Sequence, residues 1–222
     1  SAGGRVDISW SASPMPTLLS GIEFLTHFPY GCSEQRTSAI MPAVYAKSLY
    51  TSIDLPYDLR EKKIQRYIDS FNGYQDVSLD ESIREYLASI GSYQRSDGGF
   101  GYWTDSESSD LALSTRMASA FSELSHIGYA PDRQMTDGLQ KYLDTRLSDR
   151  LTQPREKQNI SELLALLDAL VDLNSGYTDA LARYTQITSG LSQDRLDSLR
   201  EIRLRVVARM ISSAQISESE RS

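Results

Sequence analysis

Cysteine occurs once in these 222 residues, at Cys32, and histidine twice, at His27 and His126. One cysteine excludes a disulfide within the chain, and also a Cys-rich tetrahedral zinc site. No metal and no cofactor are expected. Basic charge is also in deficit: 23 Lys and Arg stand against 30 Asp and Glu, a net charge of −7, and no basic cluster is interleaved with aromatics. The electrostatic footprint of a nucleic-acid or anionic-membrane binder is therefore missing. No apolar run is long enough to cross a bilayer. The longest, "LLALLDALVDL" from Leu163 to Leu173, is broken by Asp168 and Asp172 and reads as a core helix. The chain opens "SAGGRVDISW", without the charged, apolar and small-residue regions of an export signal, which would have been removed or would lie upstream.

The 40% hydrophobic and 24% charged residues argue for an ordinary globular domain rather than disorder. Arg5 to Trp10, "RVDISW", alternates polar and apolar like a strand, and the prolines of "SASPMP" end it. With no hairpin partner nearby, this strand reads as a chain arriving from another domain. After Pro16 apolar residues recur at helical spacing, in segments starting at Leu18, Ile40, Leu59 and Leu79. Further segments run from Leu111 to Ile127, Met135 to Leu147, Ile160 to Leu173, Tyr177 to Ile187 and Leu196 to Ile211, about nine helices in all. Gly or Pro marks most junctions, so connections are short and neighbouring helices should run antiparallel. The expected fold class is all-α, helical hairpins stacked in series. Two longer linkers are expected, Ser96 to Asp110 and Asp149 to Asn159, and the tail "SAQISESERS" lacks apolar periodicity.

The single cysteine stands in "FPYGCSEQRTS", Phe28 to Ser38. Tyr30 and Gly31 end a loop and the residues from Ser33 onward suit a helix, so Cys32 falls at or just before a helix N-terminus. Unpaired backbone N–H groups and the helix dipole favour negative charge on sulfur there. Gln35 follows at i+3, one turn on. A sulfur held against a carboxamide can attack its carbon and expel ammonia, leaving an internal Cys–Gln thioester. Glu34, between them, either supports that amide or faces solvent. By spacing alone, Cys32 reads first as a small buried hydrophobe.

The wider context adds a resemblance. "LLSGIEFLTHFPYGCSEQRTSAIMP", Leu18 to Pro42, resembles the thioester region of the alpha-2-macroglobulin and complement superfamily, with Pro29, Tyr30, Gly31, Cys32, Glu34 and Gln35 matching the motif Pro-Tyr-Gly-Cys-x-Glu-Gln. Ser33 stands where animal members usually have Gly, as looks normal for bacterial ones. "YQRSDGGFGYWTDSESSDLALSTRMASAF", Tyr93 to Phe121, is similar to the helical-repeat segment of the same domain. The resemblance covers about Arg5 to Leu147. It implies an α/α toroid, complete or cut short, from a bacterial member of that superfamily. On that view residues 1–13 are a strand and linker from a preceding domain, 14–215 the thioester-containing domain of a larger multidomain protein, and 216–222 a frayed tail.

In that family a protease cuts a bait region elsewhere in the chain, the thioester is unmasked, and a lysine of the protease is acylated. The resemblance thus implies a broad-spectrum endopeptidase inhibitor with a single-turnover reactive group, not an enzyme. Cys32 would be the leaving group and Gln35 would supply the acyl carbon, with Tyr30 and Phe28 shielding the bond from water. Partners would be target proteases and the neighbouring macroglobulin-like and CUB-like domains of the same chain, in a periplasmic or cell-envelope parent, exported and lipid-anchored upstream of this segment. Members that prefer hydroxyl targets use a histidine in a later loop, and the corresponding "LTQPREKQNI" has none, which favours direct aminolysis by lysine. His27 reads as structural, its nearness to the motif leaving a base role open, and His126 as a helix C-terminal residue.

Two other classes compete. "YQRSDGGFGYW" also resembles the Gln-and-Trp repeat of terpene cyclases and related toroids, but their acidic or zinc-binding clusters are missing, the nearest candidates being Asp105 and Asp110 in a Ser-rich loop. The Asp-Gly-Gly-Phe stretch itself reads as a turn with aromatic packing. A glycoside hydrolase toroid would need two carboxylates across a cleft, and none stands out. The remaining alternative is a helical-repeat interaction module in which Cys32 stays a thiol.

Overall fold

A computed structural model describes residues 31–52, 79–173 and 176–219. Its helices are α1 (Ser33–Ser52), α2 (Leu79–Ile90), α3 (Leu111–His126), α4 (Arg133–Leu151), α5 (Ile160–Asp172), α6 (Tyr177–Thr188), α7 (Gln193–Ser198) and α8 (Arg200–Ser219), with short 3-10 turns at Gly91–Tyr93 and Arg155–Lys157. The fold is all-α, as the periodicity predicts. Among the described residues the only β-type pairing is two isolated bridges, Gln94 with Phe100 and Phe100 with Asp110. The strand expected at Arg5 to Trp10 and the helical segments from Leu18 and Leu59 lie outside the described residues.

The core is organised around α5. Ile160, Leu163, Leu164, Leu166, Leu167, Ala169, Leu170 and Val171 are all buried, so this helix has no solvent face over most of its length. Helices α3, α4, α6 and α8 all pack on it. The two aspartates that interrupt its apolar run are absorbed by α8. Arg205 Nε donates to Asp168 Oδ2 at 2.8 Å, and Arg209 pairs with both Asp168 and Asp172. Both partners sit four residues apart on their own helices, so two turns match rung for rung. Ser119 Oγ of α3 donates to Asp172 Oδ2 at 2.8 Å, tying a third helix to the same carboxylate. Burial of the Asp172 carboxyl outweighs the neighbouring Arg209 and pushes its pKa up to about 6.

Local sequence explains where helices begin and end. Asp110, Asp132, Asn159 and Ser192 each cap a helix by accepting the backbone N–H three residues on, from Leu113, Met135, Glu162 and Arg195. Helix α3 stops at Gly128, where φ is +88°. There the Gly128 and Tyr129 amides turn back onto the Ser125 and Leu124 carbonyls, a Schellman closure that needs a left-handed residue. The single helix expected from Leu196 to Ile211 is a correction: it is split. Leu199 leaves helical geometry at φ −105° and ψ 11° and buries its side chain, ending α7, and α8 then runs on from Arg200 to Ser219. Apolar spacing is blind to such a one-residue break because the core-facing period survives it.

Candidate functional site

Cys32 immediately precedes α1, as expected, and is 7% exposed. Its carbonyl accepts the first intrahelical bond, from Arg36 N at 3.0 Å, which makes it the N-cap. The backbone N–H of Gln35 donates to Cys32 Sγ at 3.4 Å. The sulfur thus occupies the place that a carboxylate, amide or hydroxyl oxygen takes at the caps of α3, α4, α5 and α7. The i+3 spacing therefore has a more specific origin than two side chains sharing a helical face. An N-cap side chain turns in toward the third helical residue by the geometry of the cap itself.

The Gln35 side chain adds a second observation. Its Oε1 atom is buried and has no hydrogen-bond partner. A carboxamide oxygen removed from water without a donor costs about 1–3 kcal/mol, so such an atom calls for a chemical reason.

Glu34 has partners of its own. Arg116 Nη1 of α3 lies 3.0 Å from its carboxylate, Ser38 Oγ donates to it at 2.9 Å, and Arg116 Nη2 donates to Ser38 Oγ at 2.8 Å. The acidic residue of the motif is thereby engaged in holding α1 to α3. Below it Thr37 is fully buried, its Oγ1 in hydrogen-bond contact with the Tyr86 hydroxyl at 2.8 Å and donating to Ser33 O at 2.8 Å. Burial pushes the Tyr86 hydroxyl up to about 12, so it stays protonated.

The Ser96 to Asp110 linker is a built wall beside α1, and sequence reasoning missed its role. Phe100 is wholly buried against Phe121 with ring centroids 5.7 Å apart, and its N–H donates to Ser114 Oγ at 2.8 Å. Gln94 Nε2 donates to the Gly98 and Met135 carbonyls at 2.9 and 2.8 Å. Gly98, at φ +90°, passes so close to α4 that an added Cβ would lie 2.2 Å from the Gly138 oxygen. The Asp-Gly-Gly-Phe stretch is thus a turn with aromatic packing, as its residues suggest. Asp110, a candidate acid for a cyclase, is committed to capping α3. Asp105 is exposed.

From this wall the Tyr102 carbonyl accepts Ser33 N at 2.9 Å and the Gly101 carbonyl accepts Ser33 Oγ at 2.7 Å. The Tyr93 hydroxyl donates to the Gly31 carbonyl. Tyr30, Phe28 and His27 lie outside the described residues. His126 is exposed at the end of α3, remote in sequence from the cap.

The fold and this cap define an all-α protein that presents a buried cysteine at a helix N-terminus, with a half-buried glutamine three residues on. Two curated relatives are similar to it. The chain is 32% identical over 99 residues to the alpha-2-macroglobulin of Thermotoga maritima, covering 45% of this chain and 5% of that protein. It is 28% identical over 101 residues to the alpha-2-macroglobulin of Rickettsia conorii, covering 46% of this chain and 4% of that protein. The chain thus spans only a small part of the length of these relatives. The fold is similar to the crystal structure of native alpha-2-macroglobulin from Escherichia coli spanning domain MG7 to the C-terminus. The TM-score is 0.52 at 14% identity, over 89% of this chain and 31% of that one. No protein-family model matches the chain. The chain is thus similar to alpha-2-macroglobulins in sequence over somewhat less than half its length, and to one of them in fold.

Proposed function

We propose that this chain is the thioester-bearing, α/α-toroid segment of an endopeptidase inhibitor, and that Cys32 and Gln35 form an internal thioester that traps an attacking protease covalently. The observation that carries the reading is the cap itself: Cys32 Sγ rests on the Gln35 N–H while the Gln35 Oε1 is buried without a donor. Sulfur adds to the Gln35 side-chain carbon, the C–N bond breaks, and the nitrogen leaves as ammonia with the thiol proton. The product carbonyl is a weaker acceptor than an amide, so its burial without a donor costs less. A lysine amine of the protease then attacks that carbon, the C–S bond breaks, and sulfur takes back a proton as the new amide forms.

Glu34 acts through Arg116 and Ser38, keeping α1 seated, rather than on the reacting amide. Tyr30 and Phe28 remain the proposed water shield, on the resemblance alone. With one thioester per chain the reaction turns over once, so the protein is an inhibitor and not an enzyme. The parent, with macroglobulin-like and CUB-like neighbours, would act in the periplasm or cell envelope.

Intact mass before and after methylamine, with titration of Cys32, tests this. The expected result is a native mass one ammonia below the encoded chain, which rises by one methylamine as a free thiol appears. A native mass equal to the encoded chain, with a thiol that titrates at once and no methylamine uptake, would overturn the reading in favour of a helical interaction module.

A further inference from the structure

We propose that Ser33 and Tyr93 are positioning residues for closure of Cys32 onto Gln35, holding the peptide units on both sides of the cysteine to one rigid frame. The proposal rests on the thioester reading above.

On the N-terminal side the Tyr93 hydroxyl donates to the Gly31 carbonyl. On the C-terminal side Ser33, fully buried, donates twice, from N to Tyr102 O at 2.9 Å and from Oγ to Gly101 O at 2.7 Å. The two attachments meet in one structure, because the Gly101 N–H donates back to the Tyr93 carbonyl at 3.0 Å. Arg95 stiffens it further, its guanidinium donating to the carbonyls of Ser92 at 2.6 Å, Thr104 at 2.8 Å and Tyr93 at 3.2 Å. Phe100, locked between Phe121 and Ser114, fastens the frame to α3.

With the Gly31 carbonyl and Ser33 both pinned, the backbone of Cys32 has little freedom. The remaining variable is χ1, with about three staggered wells, of which the cap selects the one that places sulfur over residue 35. Closure is an intramolecular reaction whose rate follows the fraction of time spent in that near-attack geometry. The Ser33 hydroxyl and the Tyr93 hydroxyl touch neither reacting atom. They act through the backbone of Cys32. A serine at position 33 thus has a task that a residue without a hydroxyl would leave undone.

The experiment is refolding of the full chain from urea, with closure followed by intact mass and folding followed in parallel by circular dichroism. Wild type, Ser33→Ala and Tyr93→Phe are compared, the last removing a single oxygen. Folding rates are expected to agree within about twofold, while closure slows at least about fivefold in each variant. A merely structural role would slow both together or neither. Closure as fast as wild type in both folded variants overturns the positioning role and leaves the thioester reading standing. If wild type itself never loses ammonia, the thioester reading fails, and the frame is judged by alkylation of Cys32 with iodoacetamide. Release of the sulfur from its cap then predicts alkylation at least about fivefold faster in both variants. Equal rates overturn the proposal. Should Ser33→Ala not fold, Tyr93→Phe decides alone.

Discussion

The backbone N–H of Gln35 donates to the sulfur of Cys32 at 3.4 Å, so the one cysteine of this chain caps the helix that carries its proposed partner. Oxygen caps four other helices in the same fold. Sulfur is a weaker acceptor than oxygen, so a cysteine in that place gives up some helix stability.

Gln35→Glu should abolish closure while keeping the fold. Without ammonia to expel, the native mass should equal the encoded chain, and Cys32 should titrate at once as a thiol. Intact mass and a thiol assay check this. Methylamine uptake by the variant would show that another residue supplies the acyl carbon.

Glu34→Gln separates a chemical from a structural use of the acid. The Arg116 and Glu34 side chains are 53% and 33% exposed, so solvent screening limits the pair to at most about 1 kcal/mol. Urea unfolding should show a loss of that size, and closure should persist at a similar rate. Complete loss of closure in a folded variant would place Glu34 at the reacting amide instead.

Gly98→Ala should be among the most damaging single-methyl additions. The residue is at φ +90°, and its new Cβ would meet the Gly138 backbone oxygen at 2.2 Å. A cost of about 2–4 kcal/mol is expected by thermal or urea unfolding. Because the same loop anchors Ser33, closure should slow as well.

Leu167→Ala probes the hub helix. Leu167 has no exposed surface in a helix covered by α3, α4, α6 and α8. Its truncation should cost about 2–5 kcal/mol in urea, since packing on every side limits collapse of the cavity.

Asp172 predicts a pH dependence of stability. Its folded pKa is raised to about 6, first by burial, against lowering by Arg209 and Ser119 and further raising by Asp168 and Glu123. A carboxyl with a raised folded pKa favours the native state most when protonated in it. This contribution is complete below the ordinary aspartate range and is lost as pH rises through about 6. Wild type minus Asp172→Asn, compared by urea unfolding at several pH values, should therefore fall from about pH 4 to pH 6 and flatten above. A flat difference would mean that Arg209 offsets the burial completely.

How much of this was legible differs by contact. Apolar spacing located α2 to α6 to within a few residues, because a helix buries every third or fourth side chain whatever it packs against. The contact of Cys32 with residue 35 was also legible, since an N-cap side chain and the backbone N–H of its third residue meet through local geometry alone. Periodicity did not reveal the break at Leu199, where the buried face continues across two helices.

What only tertiary structure decided are the contacts whose partners are distant along the chain. Ser33 finds Gly101 across 68 residues, and the Asp168 and Asp172 carboxylates find Arg205 and Arg209 across 37. Nothing in the neighbourhood of Ser33 shows that a carbonyl will stand above it. Nothing in the apolar run from Leu163 shows which cations will face its two acids. Those pairings follow from which helix faces pack together, and polar groups take the partners that packing leaves within reach once water has been excluded. The contact of Cys32 with residue 35 was thus written locally into the sequence, while the frame that holds it still came from the packed fold.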